Sequence, residues 1–192
     1  MATRVATISA FNQHVKQLFN VITHLAGALS HTGIKYRVIG DIAVFLHMHE
    51  RDPLAARSTR DVDVAVDRND LPRIVEAVRS AGFEHRHAAG VDMLVDAQVP
   101  KARSAVHLIF VGEKVRQDYL EPVPAFSPPV RTTEGVLLAP VTDLVRMKLT
   151  SFRLKDQVHI QDMDSVGLIT PAIEASLSEP LRARLAQVRA AE

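Results

Sequence analysis

The 192-residue sequence contains no cysteine and no tryptophan, and only 5% of it is aromatic. Without cysteine there is no disulfide framework and no thiolate metal centre, a composition that suits a reducing cytoplasm. With so few aromatics the core must be built from Val, Leu, Ile and Ala, and an apolar content of 47% supplies them. Charge of one sign is also lacking. A net charge of +1 with His neutral neither favours nor excludes nucleic acid, because a local basic patch can sit inside a balanced total. No stretch approaches the roughly 18–20 consecutive apolar residues of a membrane span. The first ten residues hold one arginine and no apolar run of signal-peptide length. The expectation is a soluble, cytoplasmic protein with no membrane partner. Gly-x-Ser-x-Gly, Walker-type and Rossmann glycine patterns are missing too, so hydrolase, P-loop and dehydrogenase readings have no support. There are no internal repeats, and the length suits one domain or a small domain with a helical extension.

What is present is an orderly alternation of elements. After Ser9, apolar residues at Phe11, Val15, Leu18, Phe19, Ile22, Leu25 and Leu29 recur at helical spacing. They predict a helix to about Ser30, stopped by Thr32-Gly33. Residues 36–39 read as a short buried strand, Gly40 as a turn, and 42–48 as a helix behind it. Residues 49–59 read as a polar loop. Val62, Val64 and Val66 alternate with Asp61, Asp63, Ala65 and Asp67, the period of a strand with two different faces. A helix over 71–81 ends at Gly82, and 83–87, 91–96 and 106–111 are strand candidates. Residues 117–135 are irregular and proline-rich, and 136–139 form a candidate edge strand. From Pro140 onward the pattern is helical: 145–155 with Thr142 as a cap, then 157–166, then 179–191. The fold class expected is α+β (mixed α/β), a mixed sheet flanked by helices with a C-terminal helical extension. Residues 1–139 form the sheet part and 140–192 a helical part packed on it, or the two make one continuous domain.

The chemistry concentrates in Arg60-Asp61-Val62-Asp63-Val64. Residues i and i+2 of a strand share a face, so Asp61 and Asp63 project side by side. Unpaired, the two carboxylates repel, and a divalent cation such as Mg²⁺, which favours hard oxygen ligands shared with phosphates, resolves the conflict. The competing account is a solvated acidic face paired with Arg57 or Arg60. About twenty residues earlier, Gly40-Asp41 lies between a strand and a helix. Glycine there admits close approach to a ligand, and the helix start offers free amides to phosphate. The plainer account is an ordinary turn with Asp41 as N-cap. Further on, Lys148, Arg153 and Lys155 fall within two turns of the predicted helix, with Lys148 and Lys155 on one face. They are suited to neutralising a triphosphate, with Asp156 orienting one of them. The alternative is a solvated face with routine ion pairs.

Together, strand–Gly40-Asp41–helix followed by Arg57-Ser58-Thr59-Arg60-Asp61-Val62-Asp63-Val64 resembles the DNA-polymerase-β-like nucleotidyltransferase superfamily, and most closely its AbiEii/AbiGii toxin-like branch. Leu144-Val145-Arg146-Met147-Lys148-Leu149 and Arg153-Leu154-Lys155-Asp156 are similar to later phrases of that branch. The resemblance spans most of residues 34–165. It implies a nucleotidyltransferase-fold sheet and transfer of a nucleoside monophosphate from a nucleoside triphosphate, with Mg²⁺ or Mn²⁺, to a hydroxyl on RNA, protein or a small molecule. It also implies a toxin of a toxin–antitoxin or abortive-infection system, with an antitoxin partner. Asp61 and Asp63 would be catalytic metal ligands. Gly40, Asp41, Thr59, Arg60, Lys148, Arg153, Lys155 and Asp156 would bind the nucleotide.

Three positions depart from the family pattern. Asp41 stands where a second Gly or a Ser is usual. The strand expected to carry a third carboxylate has His107, with Asp92 and Asp96 as the substitutes, and His159 stands where the helix after Asp156 often has an acidic residue. A neutral imidazole accepts a proton from a hydroxyl but is a poor Mg²⁺ ligand. His107 therefore stands as a catalytic base, as a sign of a silent binding protein of the same fold, or as a structural histidine. The pairs His47/His49 and His85/His87 come without a third ligand in the sequence, and no zinc site is expected from them.

Overall fold

The computed structural model of the chain describes residues 8–53, 62–98 and 105–191, with side chains from residue 16 onward. Its elements are α1 (Ile8–His31), β1 (Tyr36–Ile39), α2 (Gly40–Arg51), β2 (Val62–Val66), a 3₁₀ turn (Arg68–Asp70), α3 (Leu71–Arg79), β3 (Phe83–Ala88), β4 (Val91–Asp96), β5 (Val106–Phe110), β6 (Val130–Arg131), β7 (Leu137–Leu138), α4 (Val141–Ser151), α5 (Leu154–Ser165), α6 (Pro171–Ser176) and α7 (Glu179–Arg189). The strands form one seven-stranded sheet in the order β3-β4-β5-β2-β1-β7-β6. It is mixed: β2 runs parallel to β5 and β1 parallel to β7, while the other neighbours are antiparallel. Among the described residues no helix is long and apolar enough to cross a membrane.

The apolar periodicities place these elements. Leu18, Ile22, Leu25 and Leu29 of α1 and Ile74 and Val78 of α3 are buried at helical spacing. On β2, Val62, Val64 and Val66 are buried to 2% exposure or less, which turns Asp63 to the opposite face. The C-terminal helices share this core: Ile160, Met163, Leu181, Leu185 and Val188 belong to the same buried cluster as Val38 and Val64.

Two expectations need correction. The strand read at 136–139 as an edge lies inside the sheet, because β7 pairs with β1 through Val38 and Leu138 and also with β6, the true edge. The two-residue β6 lies in the proline-rich passage, too short to show a period. The helix read as continuous over 145–155 is two helices. Phe152 adopts left-handed backbone at φ 51°, its N–H closing on Lys148 O, and α5 starts after Arg153, whose backbone N–H (3.3 Å) and Nε (2.6 Å) both donate to Asp156 Oδ2. No glycine or proline marks that break. It is held by Gln157 Nε2 donating to Phe152 O at 3.0 Å and by the Arg184 guanidinium 4.7 Å over the Phe152 ring. Lys148 and Lys155 are thus not an i, i+7 pair on one helix face. α4 is preceded by Pro140 rather than capped by Thr142.

Ile160 is fully buried between α5 and the rest of this core. Ile160→Ala is expected to cost about 2–5 kcal/mol and to lower the midpoint of a single cooperative denaturation curve. A separate helical transition in far-UV circular dichroism would show two independent units.

Candidate active site

The site is built where β1 ends and β2 and β5 begin. Register places Ile39, Asp63 and His107 in one row across β1, β2 and β5, with Met93 of β4 next to His107. Directly paired residues share a face, so Asp63 and His107 point the same way, and His107 Nδ1 lies 3.1 Å from Asp63 Oδ1. An ionised Asp63 only accepts, so Nδ1 carries the proton and, in the neutral ring, the lone pair resides on Nε2. Asp92 pairs with Leu108, one residue along, and therefore faces the other side of the sheet. Asp96 accepts from Gln98 N. Neither supplies a carboxylate beside Asp63.

Immediately after Ile39 the chain turns into α2 through Gly40, at φ +69°. A Cβ built there would stand 2.2 Å from Asp63 Oδ2, so only glycine leaves room for that oxygen. The two oxygens of Asp63 are thereby distinguished: Oδ1 faces His107 and Oδ2 faces the helix start. Ile39, Gly40, Asp41 and Asp63 line a cleft of about 160 Å³, closed by Leu144, Met147 and Lys148 of α4, by Ser151, Arg153 and Asp156, and by Val115, Tyr119, Glu121 and Val123 of the long passage. Tyr119, Glu121 and Ser151 carried no motif in the sequence.

The charged wall of this cleft is an ion network centred on Asp156, which has no exposed surface. Asp156 accepts from Lys148 Nζ at 2.9 Å, Ser151 Oγ at 2.7 Å and Arg153 Nε at 2.6 Å. Burial pushes its pKa up, but these bonds and the Lys148 charge outweigh burial and hold the carboxyl far below the usual carboxylate range. Lys148 also donates to Asp41, which Lys155 reaches at 3.1 Å. For Asp41, too, burial is outweighed by the two lysines and His159, and its pKa is lowered. Burial and the neighbouring Lys148 charge lower the pKa of His159. Asp41, Asp156 and His159 bring ligand atoms within 4.8 Å of one another, a spacing suited to a cation. Lys148 already serves as that cation, because its ammonium bonds both carboxylates.

The structure thus brings Gly40, Asp41, Asp63, His107, Lys148, Arg153, Lys155 and Asp156 to one region. Thr59, Arg60 and Asp61 lie outside the described residues. Lys148 is 5% exposed and engaged by two carboxylates, whereas Lys155 and Arg153 are each 48% exposed. His47 Nε2 donates to Ala139 O (2.9 Å) and His49 stacks on Phe45, so that pair is structural.

Gly40→Ala is expected to lose about 1–2 kcal/mol from left-handed backbone alone, and more from the displaced Asp63 oxygen. Urea denaturation reads the loss, and an unchanged midpoint would mean that the turn accommodates a Cβ.

No protein-family model matches the chain, and no curated protein matches it. Among solved structures, it is similar to an antigenic nucleotidyltransferase-like protein from Paracoccidioides brasiliensis, with a TM-score of 0.61 and 19% identity over 92% of this chain and 89% of that one. It is also similar to the antibiotic-resistance factor ANT(2'')-Ia in solution, with a TM-score of 0.52 and 10% identity over 94% of each chain. The crystal structure of ANT(2'')-Ia in complex with adenylyl-2''-tobramycin gives a TM-score of 0.51 and 12% identity, over 92% of this chain and 98% of that one. At these identities the likeness is one of fold: the seven-stranded mixed sheet with its flanking helices is a nucleotidyltransferase fold.

Proposed function

We propose that the cleft binds a nucleoside triphosphate and that the chain transfers its nucleoside monophosphate to an acceptor hydroxyl. The observation that carries this reading is the row Ile39–Asp63–His107 ending at Gly40. It gathers a carboxylate and a helix start at one cleft of a nucleotidyltransferase fold and sets an imidazole against that carboxylate. The donor set beside the turn fits a hard dication. Asp63 Oδ2 faces space that a Cβ at position 40 would fill, and Asp61, two residues earlier in sequence, would be the source of a second carboxylate. Mg²⁺ or Mn²⁺ held by Asp61 and Asp63 would draw charge from the phosphates.

The chain's own groups then have distinct tasks. The first amides of α2 face phosphate oxygens favourably, and the half-exposed Lys155 and Arg153 add positive charge at the rim. His107, oriented by Asp63 through Nδ1, accepts the acceptor's hydroxyl proton at Nε2. The acceptor oxygen forms a bond to the α-phosphorus, the bond from that phosphorus to its bridging oxygen breaks, and pyrophosphate leaves. Positioning and charge neutralisation supply most of the acceleration.

For the acceptor, the phrase Arg57, Thr59, Asp61, Asp63 favours RNA or protein and a toxin restrained by an antitoxin. The adenylyl-2''-tobramycin held by one structural neighbour favours a hydroxyl on a small molecule. A second reading, a nucleotide- or partner-binding protein without turnover, is favoured by Asp41, whose carboxylate already engages Lys148 and Lys155.

Thermal-shift titration with each triphosphate plus Mg²⁺, followed by labelled triphosphate with total RNA, lysate protein and small polyols, separates these readings. Label is expected in one acceptor class. His107→Gln should slow transfer about 10²–10⁴-fold with binding retained, and Asp63→Asn should remove both. Binding without label in any acceptor overturns the transferase reading and leaves the binding one. Asp41→Asn, which removes the carboxylate shared by Lys148 and Lys155, is expected to tighten binding of metal-free triphosphate about tenfold, or ~1.4 kcal/mol. Unchanged or weaker binding would show that Asp41 does not compete with phosphate.

A further inference from the structure

The histidine pair His85/His87 lacked a third ligand in the sequence, and the fold supplies one. On β3 the two rings share a face, and the hairpin register sets Asp92 of β4 opposite His87. His85 Nε2 lies 2.8 Å and His87 Nδ1 3.0 Å from the same oxygen, Asp92 Oδ1. The Asp92 side chain is only 7% exposed, against 22% for His85 and 58% for His87. Two imidazoles thus meet one shielded carboxylate oxygen at a solvent-open edge of the sheet, on the face opposite Asp63.

We propose that His85, His87 and Asp92 form a binding site for a first-row transition-metal dication such as Zn²⁺, with water in the fourth position. Two imidazole nitrogens and a carboxylate are the donors such an ion takes, and a donor set with nitrogen distinguishes it from Mg²⁺. The observed nitrogen–oxygen separations approach the edge of a tetrahedral zinc site, about 3.3 Å for bonds of ~2.0–2.1 Å. In the present arrangement both rings aim at Oδ1 through shared protons. The two ring nitrogens stand further apart than the 4.8 Å that unites Asp41, Asp156 and His159, so a dication that replaced those protons would draw the exposed ring of His87 toward His85. Arg68 stands 3.9 Å from the other oxygen, Oδ2, and its own charge is matched by Glu113 at 2.5 and 2.6 Å. It therefore steadies Asp92 from behind and leaves Oδ1 turned to the histidines, the kind of supporting contact that orients a ligating carboxylate. The ion would clasp the β3–β4 hairpin, whose outer strand is the sheet edge.

The test uses tag-free, chelator-stripped full-length protein titrated with Co²⁺ at neutral pH under excess Mg²⁺, which saturates all-oxygen sites. Visible d–d absorption reports nitrogen ligation. One equivalent is expected to bind, at least about tenfold weaker in His87→Ala and in His85→Ala, and Zn²⁺ should raise the melting temperature of wild type but not of His87→Ala. Because the His87 ring is mostly exposed, its truncation leaves the fold intact. The proposal is overturned if no absorption develops, if both variants bind as wild type does, or if binding disappears in Asp63→Asn while surviving in the histidine variants. Nucleotide binding plays no part in any of these readouts.

Discussion

The arrangement of the cleft depends on one buried charge. Asp156 has no exposed surface, and an ionised carboxylate in that setting is tolerated only when its lone pairs are matched. The matching groups come from three places: Lys148 near the end of α4, Ser151 at its last residue, and Arg153 at the break before α5. Through Lys148 the network crosses to Asp41 in the first turn of α2. The helix pair that follows the sheet and the helix that starts at the end of β1 are therefore fixed to one another by charge as well as by packing. Buried ion networks seldom outperform apolar packing in net stability. What this one supplies is position, holding the start of α2 beside Asp63.

How much of this was legible in the sequence varies with the kind of signal. Strand alternation exposed the valine face of β2 and hence the opposite facing of Asp63, because a period of two survives any tertiary context. Gly40 was legible as a turn, but its reason was not. The 2.2 Å approach to Asp63 Oδ2 joins residues twenty-three apart in sequence and arises from strand register. The break at Phe152 left no trace, since left-handed backbone at a phenylalanine is sustained by Arg184 and Gln157 from outside the local stretch. Reading through that break placed Lys148 and Lys155 on one helix face, whereas they meet across a turn, around Asp41. The pairing of Asp92 with His85 and His87 was hidden for the same reason as the Gly40 contact, although only a hairpin separates the partners.

Two of the three departures from the expected pattern, Asp41 and His107, acquire a common physical sense. Asp63 has two oxygens with different neighbours, an imidazole at Oδ1 and the glycine turn at Oδ2. With a nitrogen at position 107 in place of a carboxylate, the row carries one negative charge fewer. Asp41 adds one back on the other side of the turn, where it is matched by Lys148 and Lys155. Negative charge has moved from the sheet to the start of the helix.

That displacement bears on which ligand form the cleft accepts under the proposed reaction. A free triphosphate meets lysines that are already neutralised and, at the helix start, a carboxylate that repels it. A triphosphate carrying its own dication presents less net charge, and the dication is attracted both to Asp63 and to Asp41. Under the proposed reaction, phosphate would be matched by the lysines and Asp41 would be left to hold the cation, so each charge would exchange one counter-charge for another. The network around Asp156 makes the exchange local, since Lys148 keeps its 2.9 Å bond to Asp156 whichever anion occupies its other side. Under the proposed reaction, selection for the metal-bound nucleotide would follow from the charge of a single side chain in the first turn of α2.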